Sequence, residues 1–571
     1  MGKTVPICLS NQRISPYPGK GKQAETGWHE YCVYDHLKDL YHGIEEAQVP
    51  YGKTVSWLVL SLALSLCLRA QTGKEIRLSL EDCIVRAVRN NLGVAVEIIN
   101  PELSSLAVLA AKEKFLPALG FRFKRRHTNS PSYSWIQASD QLTANYSEYS
   151  AEIDQLLPTG GTLFLSLDSY SDDSNTKFQT INPYYSSTLS IGLTQPLLKD
   201  FGFKISRKEI LVAQNSQKIS ENDFRDFLLR TVSAAEEAYW NLLYSIDEFE
   251  VKRQSLRLAQ DLFEKNQKEI DVGTLAPKEI LSSRAEVAVR KAEILQAESR
   301  VKDNMSILKT LINLPKEEGI TEIVPVDKPS YEKKEMSFEE AMSLARENRP
   351  DLMSSKFDLE NKGLELSYAR NQLLPALNLN ASYWSPGISG TQILYFDDDP
   401  LSGIIVGRVP RGASQALKDA TAFKHKNWSV FLTLDIPLNT VFSRAAAAQA
   451  KLELDQTAKK LKYLEQQAEL EVETALRAIR TDYERVEAYR VAVDLAEQKL
   501  QAEEAKFKAG MSGNYFILQY QRDLAQARSA ELKAIIDYNL SRSRLDRVLG
   551  VSLINRNIRL TDVLSGGKGA E

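Results

Sequence analysis

The chain has 571 residues, a formal net charge of −3 and no basic tract, a balance that argues against a nucleic-acid partner. All four cysteines (Cys8, Cys32, Cys67, Cys83) lie near the N-terminus and the five histidines are scattered, so neither a disulfide framework, a metal-ligand cluster nor a cofactor site is expected. Abundant Ala, Glu, Lys, Leu and Gln beside 8% aromatic residues favour long helices.

Residues 1–48 are polar and without periodicity. They read as a spurious or disordered extension upstream of the true start, with an alternative initiator near Val49 or Val55. Residues 49–70 read as a signal peptide: Lys53 precedes an apolar run over 55–68 that is too short to span a bilayer as a helix. Cleavage after Ala70 is the expected processing. Cys67, preceded by Leu64-Ser65-Leu66, is the one position for lipidation, in a poor lipobox because Leu66 is large. Gly52-Lys53-Thr54 is not a phosphate loop, because Ala47 stands where the first glycine is needed.

Beyond this segment one long pattern occurs twice. Ser79 matches Ser337, Glu81 matches Glu339, Asn90 matches Asn348, and Leu116-Pro117-Ala118-Leu119 matches Leu374-Pro375-Ala376-Leu377, always at the same offset. Gln195-Pro196-Leu197 is echoed by Ile436-Pro437-Leu438, and Val272-Gly273 by Ala509-Gly510. The spacing divides the chain into repeat 1 over 78–314, a linker over 315–335, repeat 2 over 336–552 and a flexible tail over 553–571.

Neither 203–272 nor 438–509 contains a glycine or proline, where average usage would put about eight in each. Each run predicts a helix of roughly 100 Å that stops at a glycine, Gly273 or Gly510. Apolar steps at Phe224, Leu228, Thr231, Ala235, Ala238 and Leu242 form a packing seam. Shorter helices return over 277–312 and 514–549, giving one antiparallel hairpin per repeat.

Between the Leu-Pro-Ala-Leu breaks and these helices the apolar period changes to two. Leu163, Leu165 and Leu167 alternate with polar neighbours, as do Leu189, Ile191 and Leu193; Leu377, Leu379 and Ala381; and Trp428, Val430, Leu432 and Leu434. Aromatics gather at the strand ends, as at a membrane interface. Polar loops are expected at 124–145, 169–183 and 385–426, facing outside. About four strands per chain cannot close a barrel, and lipid tolerates no open edge. Several chains must therefore share one barrel, and three would supply twelve strands.

These features resemble the TolC-type outer-membrane efflux protein family. The resemblance covers about 78–552 and rests on the two Leu-Pro-Ala-Leu junctions, the returns at Pro196 and Pro437, and the two hairpin tips. The second tip reads FKAGMSGNYFILQYQRDLAQARSAEL. The family implies a mainly α-helical fold with a transmembrane β part: a homotrimer with a shared twelve-strand barrel and a twelve-helix coiled-coil tunnel reaching across the periplasm of a Gram-negative-type bacterium. Pro117, Pro196, Pro375 and Pro437 become barrel–helix junctions. The implied partners are outer-membrane lipid, a periplasmic adaptor and an inner-membrane pump of the RND, ABC or MFS type. The implied work is efflux or type I secretion, without catalysis. The turns Val272-Gly273-Thr274 and Ala509-Gly510-Met511 fall where adaptor tips dock in the family.

At the closed tunnel end, Glu279 takes the place of an acidic residue that starts the helix after the first tip. In that position it also favours the helix dipole. The family's best-known member has two aspartates one turn apart where this chain has Phe516 and Gln519, an arginine at Ser512 and a tyrosine at Phe507. The expected constriction is therefore neutral and partly apolar at Phe516 and Gln519, with Glu279 the main pore acid and a weaker polar lock between helices. The competing function is a structural coiled-coil envelope protein without transport activity, which explains the helices but not the strands. No nucleophile–base constellation supports an enzyme.

Overall fold

The computed structural model describes residues 74–133, 140–273, 276–314, 320–333, 335–560 and 563. The expected signal segment 49–70 with Cys67, and Thr274 of the first tip, lie outside the described residues. Repeat 1 comprises β1 (Lys74–Leu78), α1 (Leu80–Asn90), α2 (Leu92–Glu97), α3 (Ile99–Glu113), β2 (Ala118–Pro131), β3 (Gln141–Leu156), β4 (Thr162–Ser174), β5 (Ile181–Pro196), α4 (Phe203–Ser206), α5 (Lys208–Asp271) and α6 (Glu279–Leu311). After β6 (Ile320–Pro325), repeat 2 comprises α7 (Phe338–Asn348), α8 (Pro350–Asn371), β7 (Ala376–Tyr395), β8 (Ile405–Val409), α9 (Ala413–Thr421), β9 (Asn427–Asp435), α10 (Val441–Lys508) and α11 (Asn514–Val548). A short α12 (Ser552–Asn555) follows.

The repeat is visible in its caps. The Ser79 hydroxyl accepts from the Asp82 N–H while the Asp82 carboxylate accepts from the Ser79 N–H, both at 3.1 Å. Ser337 and Glu340 form the same reciprocal box, both at 3.2 Å. Each box satisfies two amides that a helix start leaves free.

The two long helices extend 64 and 68 residues, about 96 and 102 Å at 1.5 Å per residue. Phe224, Leu228, Thr231, Ala235, Ala238 and Leu242 are all buried on α5, as the seam required. Around them Tyr239, Val232, Ile84, Leu308 and Ile312 build one core, while Val472, Ala475, Ala534, Tyr538 and Leu545 build the core of repeat 2. Cys83 lies in the first core, and burial pushes its thiol up to about 12, so it stays protonated and inert.

The linker is not featureless. β6 pairs in parallel with β1. Behind it, Asp327 accepts a hydrogen bond from the Tyr239 hydroxyl at 2.7 Å and from the Leu80 N–H at 2.6 Å.

The expected flexible tail is corrected over its first residues. Leu553 is buried in the repeat 1 core, and Ile558, Leu560 and Val563 pack against it. Arg556 donates to the buried Glu236 carboxylate from Nε at 2.9 Å and lies 2.6 Å away through Nη2. The Ser543 hydroxyl also donates to Glu236. Burial of Leu553 and neutralisation of Glu236 outweigh the entropy of ordering this short stretch.

The number of strands per chain is a second correction. Strands β2, β3, β4, β5 and β7 form one antiparallel sheet in that order, with β9 paired along 376–384 of β7 and β8 along 392–395. Six of its strands are nine or more residues long, where about four were expected. The expected loop over 124–145 is largely strand, and β7 continues past 385. The period-two signal fades in β3 because small or polar Asn145, Ser147 and Ala151 share the face of Tyr149 and Ile153. Continuous ladder hydrogen bonding from both neighbours makes β3 a strand regardless.

Candidate functional site

The turns of the two helical hairpins are built alike. Gly273 follows α5 with φ +78 and Gly510 follows α10 with φ +75, the left-handed backbone that ends many helices. The Gly273 N–H donates to the Ile270 carbonyl at 2.9 Å, and the Gly510 N–H to the Phe507 carbonyl at 3.0 Å. Both turns are open: Val272 and Met511 are each 74% exposed.

Behind the turns the hairpins lean on one another. Leu262 of α5 and Ile517 and Leu518 of α11 form a buried cluster against which Phe507 packs, and Lys265 Nζ lies 4.5 Å from the Phe507 ring centroid. Arg522 of α11 approaches Glu286 of α6 at 3.7 Å, and Glu286 is held by Arg290 at 2.8 Å. Farther up, Arg528 donates to Gln254 at 3.0 Å and to Glu497 at 2.6 Å. Ser512, in the expected place of an arginine, donates to Glu503 at 2.5 Å within its own hairpin, and Lys506 donates to the same carboxylate at 3.3 Å.

The Ser512 hydroxyl, ahead of the Lys506 ammonium, holds the Glu503 carboxyl below its ordinary value of 4.5. A carboxyl depressed in the folded state contributes stability that is complete above 4.5 and lost as pH falls through the folded value. Lowering the pH from 7 to 5 is therefore expected to leave this contact unchanged, as read by spin labels at Val272 and Met511. Ser512→Ala should bring the loss to higher pH, and a wild-type tip that opens at pH 5 through Glu503 would contradict this.

Glu279 is the first residue of α6 and half-buried; its carbonyl accepts from the Ser282 and Ser283 hydroxyls at 2.8 and 3.2 Å. Among the described residues its carboxylate has no ion-pair partner in the same chain. Phe516 is 47% exposed and meets Tyr515 edge-on at 5.6 Å, while Gln519 is half-buried one turn on. Lys265, Arg522 and Glu286 were not singled out from the sequence, because nothing in their spacing distinguishes them from the solvated charges of a long helix.

At the opposite end the repeats join where helix becomes strand. Pro196 ends β5 and Pro375 precedes β7; the Leu197 N–H donates to the Leu377 carbonyl at 2.7 Å and the Lys199 N–H to the Pro375 carbonyl at 3.3 Å. Asn371 clamps the crossing, accepting from the Asp200 N–H at 2.7 Å and donating to the Leu198 carbonyl at 3.0 Å. Pro117 and Pro437 stand at the two outer sides of the sheet, before β2 and after β9. They do not meet within one chain.

Toward the helices the sheet is apolar on one face, while the outer end of that face over β7 is covered by α9. Leu119, Phe121, Phe123, Ile153, Leu165, Ile191, Val430, Leu432 and Leu434 are exposed on one side. Arg122, Lys124, Glu148, Glu152, Asp168 and Asn380 alternate onto the other. An open apolar face of this kind suits lipid, not water.

A lipid-facing antiparallel sheet continued by two helical hairpins of about 100 Å defines an outer-membrane duct. The chain belongs to the outer membrane efflux protein family, whose profile matches residues 134–314 and 341–551. No curated protein matches the chain. Among solved structures the fold is similar to a membrane protein from Pseudomonas aeruginosa (16% identity, TM-score 0.59, covering 82% of this chain and 90% of that one). It is also similar to the Campylobacter jejuni CmeC outer membrane channel (15%, TM-score 0.58, 85% and 89%). The outer membrane protein VceC of Vibrio cholerae is a third (14%, TM-score 0.57, 82% and 96%). The protein is thus an outer-membrane efflux duct with a long periplasmic part.

Proposed function

We propose that three mature copies, freed of residues 1–70, form a passive export duct that a periplasmic adaptor joins to an inner-membrane pump of the RND, ABC or MFS type. The observation that carries this reading is the pair of incomplete sides on each chain. One side is the free edge of β2 above the exposed stripe Leu103, Leu106 and Leu109 of α3; the other is the free edge of β9 above Phe442 and Leu452 of α10. Open strand edges in lipid require a partner. Each side continues from barrel into tunnel, so a neighbouring copy would complete both at once. The stretch 92–113, long and apolar enough by composition to cross a membrane, is on this reading a subunit interface.

In the assembled duct, the turns Val272-Gly273-Thr274 and Ala509-Gly510-Met511 receive the adaptor. Glu279, Phe516 and Gln519 from each copy line the periplasmic constriction, with threefold symmetry repeating the carboxylate about the axis. The purified protein should insert into planar bilayers and give discrete ion-conducting steps. A soluble protein that never conducts would return the envelope-rod reading.

Hexamminecobalt added from the tunnel side tests the constriction. Glu279→Gln is expected to raise the blocking concentration at least about tenfold, the equivalent of about 1.4 kcal/mol of lost attraction. Phe516→Ala should leave the block in place and raise the open conductance. Block lost on changing Phe516 but retained at Glu279 would refute the assignment.

A further inference from the structure

Repeat 2 sends one hairpin into the sheet, β7 with β9, whereas repeat 1 sends two, β2 with β3 and β4 with β5. The added connection is the turn Leu157-Pro158-Thr159-Gly160-Gly161, which lies at the helical end of the sheet. There the Gly202 N–H donates to the Thr159 carbonyl at 3.0 Å and Gln195 Nε2 donates to the same oxygen at 3.3 Å. A Cβ at Gly160, where φ is +93, would come within 2.2 Å of the Asp200 carbonyl oxygen. The turn is therefore seated against the chain's return from β5 to α5.

One ladder row crosses all six long strands. Leu119 lies opposite Ile153, Ile153 opposite Leu165, Leu165 opposite Ile191, Ile191 opposite Tyr383, and Tyr383 opposite Trp428. Ile153, Leu165 and Ile191 are equally open, at 40, 40 and 42%. The inner strands β3 and β4 thus present the same apolar side as β5, hydrogen-bonded on both edges and in the same register. At the outer edges β2 runs away from the helices and β9 runs toward them, with their apolar residues on one side. Six is an even number, so joining β9 of one copy to β2 of the next keeps every neighbour antiparallel.

We propose that three copies close a single barrel of eighteen strands, six from each chain, through pairing of β9 with β2 of a second copy, with β3 and β4 in the lipid-facing wall. The proposal rests on the trimeric duct described above and enlarges its outer part. Strands about 4.8 Å apart and tilted by about 40° give a backbone diameter of about 36 Å for eighteen strands, against about 24 Å for twelve. At the helical end of the sheet only four strand ends per chain continue into helices, at α3, α4, α8 and α10. The three Leu157–Gly161 turns then lie at the junction of barrel and tunnel, between the strands that continue into helices.

Electron cryomicroscopy of the mature protein extracted from outer membranes in detergent should show three copies and eighteen strands. Three copies with twelve strands would overturn the inference and leave the duct reading standing. A dimer, or a protein without a barrel, would overturn both. As a second readout, bimane attached at Ile153→Cys or Leu165→Cys in brominated-lipid nanodiscs should be quenched as strongly as bimane at Ile191→Cys. Quenching confined to Ile191→Cys would place the added hairpin outside the wall and overturn the inference.

Discussion

Arg556→Ala is expected to destabilise the helical part by about 3 kcal/mol, because it strips a buried carboxylate of its cation. Glu236 is 3% exposed and accepts from Arg556 at 2.9 Å. The Ser543 hydroxyl still donates to Glu236, which keeps the loss at the low end of that for broken buried pairs. Arg556 also fastens the C-terminal segment that brings Leu553, Ile558 and Leu560 to the repeat 1 core. The loss should therefore show as a lower urea midpoint and as new proteolytic cleavage after α11. Glu236→Gln with Arg556→Met removes both charges together and should recover part of the stability. A change below about 1 kcal/mol for Arg556→Ala would mean that water reaches Glu236 and that the pair behaves as a surface ion pair.

The helical part was legible in the sequence because its signals are local. The absence of glycine and proline over 203–272, the seam from Phe224 to Leu242 and the serine caps at 79 and 337 each follow from backbone chemistry within a few turns. The strands were harder, since a strand buried by neither lipid nor core in one row loses its period. Phe121 and Phe123 announce β2, but Ser147 and Ala151 hide β3. The turn at Gly160-Gly161 carries a readable signal, a Pro-x-Gly-Gly just before the alternating stretch from Leu163, but with β3 hidden it points to no added hairpin. Arg556 with Glu236, separated by 320 positions, left no trace in the sequence because long-range pairing of two charges has no period. Glu279, Phe516 and Gln519 rest on the family resemblance, and whether they converge about an axis is a property of the proposed trimer that one chain does not display.

Gly273→Trp or Gly510→Trp is expected to reduce export to background while leaving the trimer in the outer membrane. Both glycines have positive φ, at +78 and +75, and a Cβ built on either meets nothing within 4 Å. Any L-residue there bears the same backbone strain, about 1–2 kcal/mol, and that cost does not grow with side-chain size. Alanine and tryptophan therefore separate two explanations. If the turns matter only as helix ends, Gly→Ala and Gly→Trp should impair export equally, through the strained cap. If they receive an adaptor, alanine should keep most of the activity and tryptophan should block it, because only the large side chain fills the surface beside Val272 or Met511. Export would be followed with a fluorescent pump substrate in cells, alongside the trimer recovered from outer membranes. Full export by both tryptophan variants would move the docking site elsewhere on the tunnel. Loss in only one would assign the adaptor to that repeat alone, since the internal repeat makes the two turns alike in backbone but leaves them different in side chains, with Val272 beside one and Met511 beside the other.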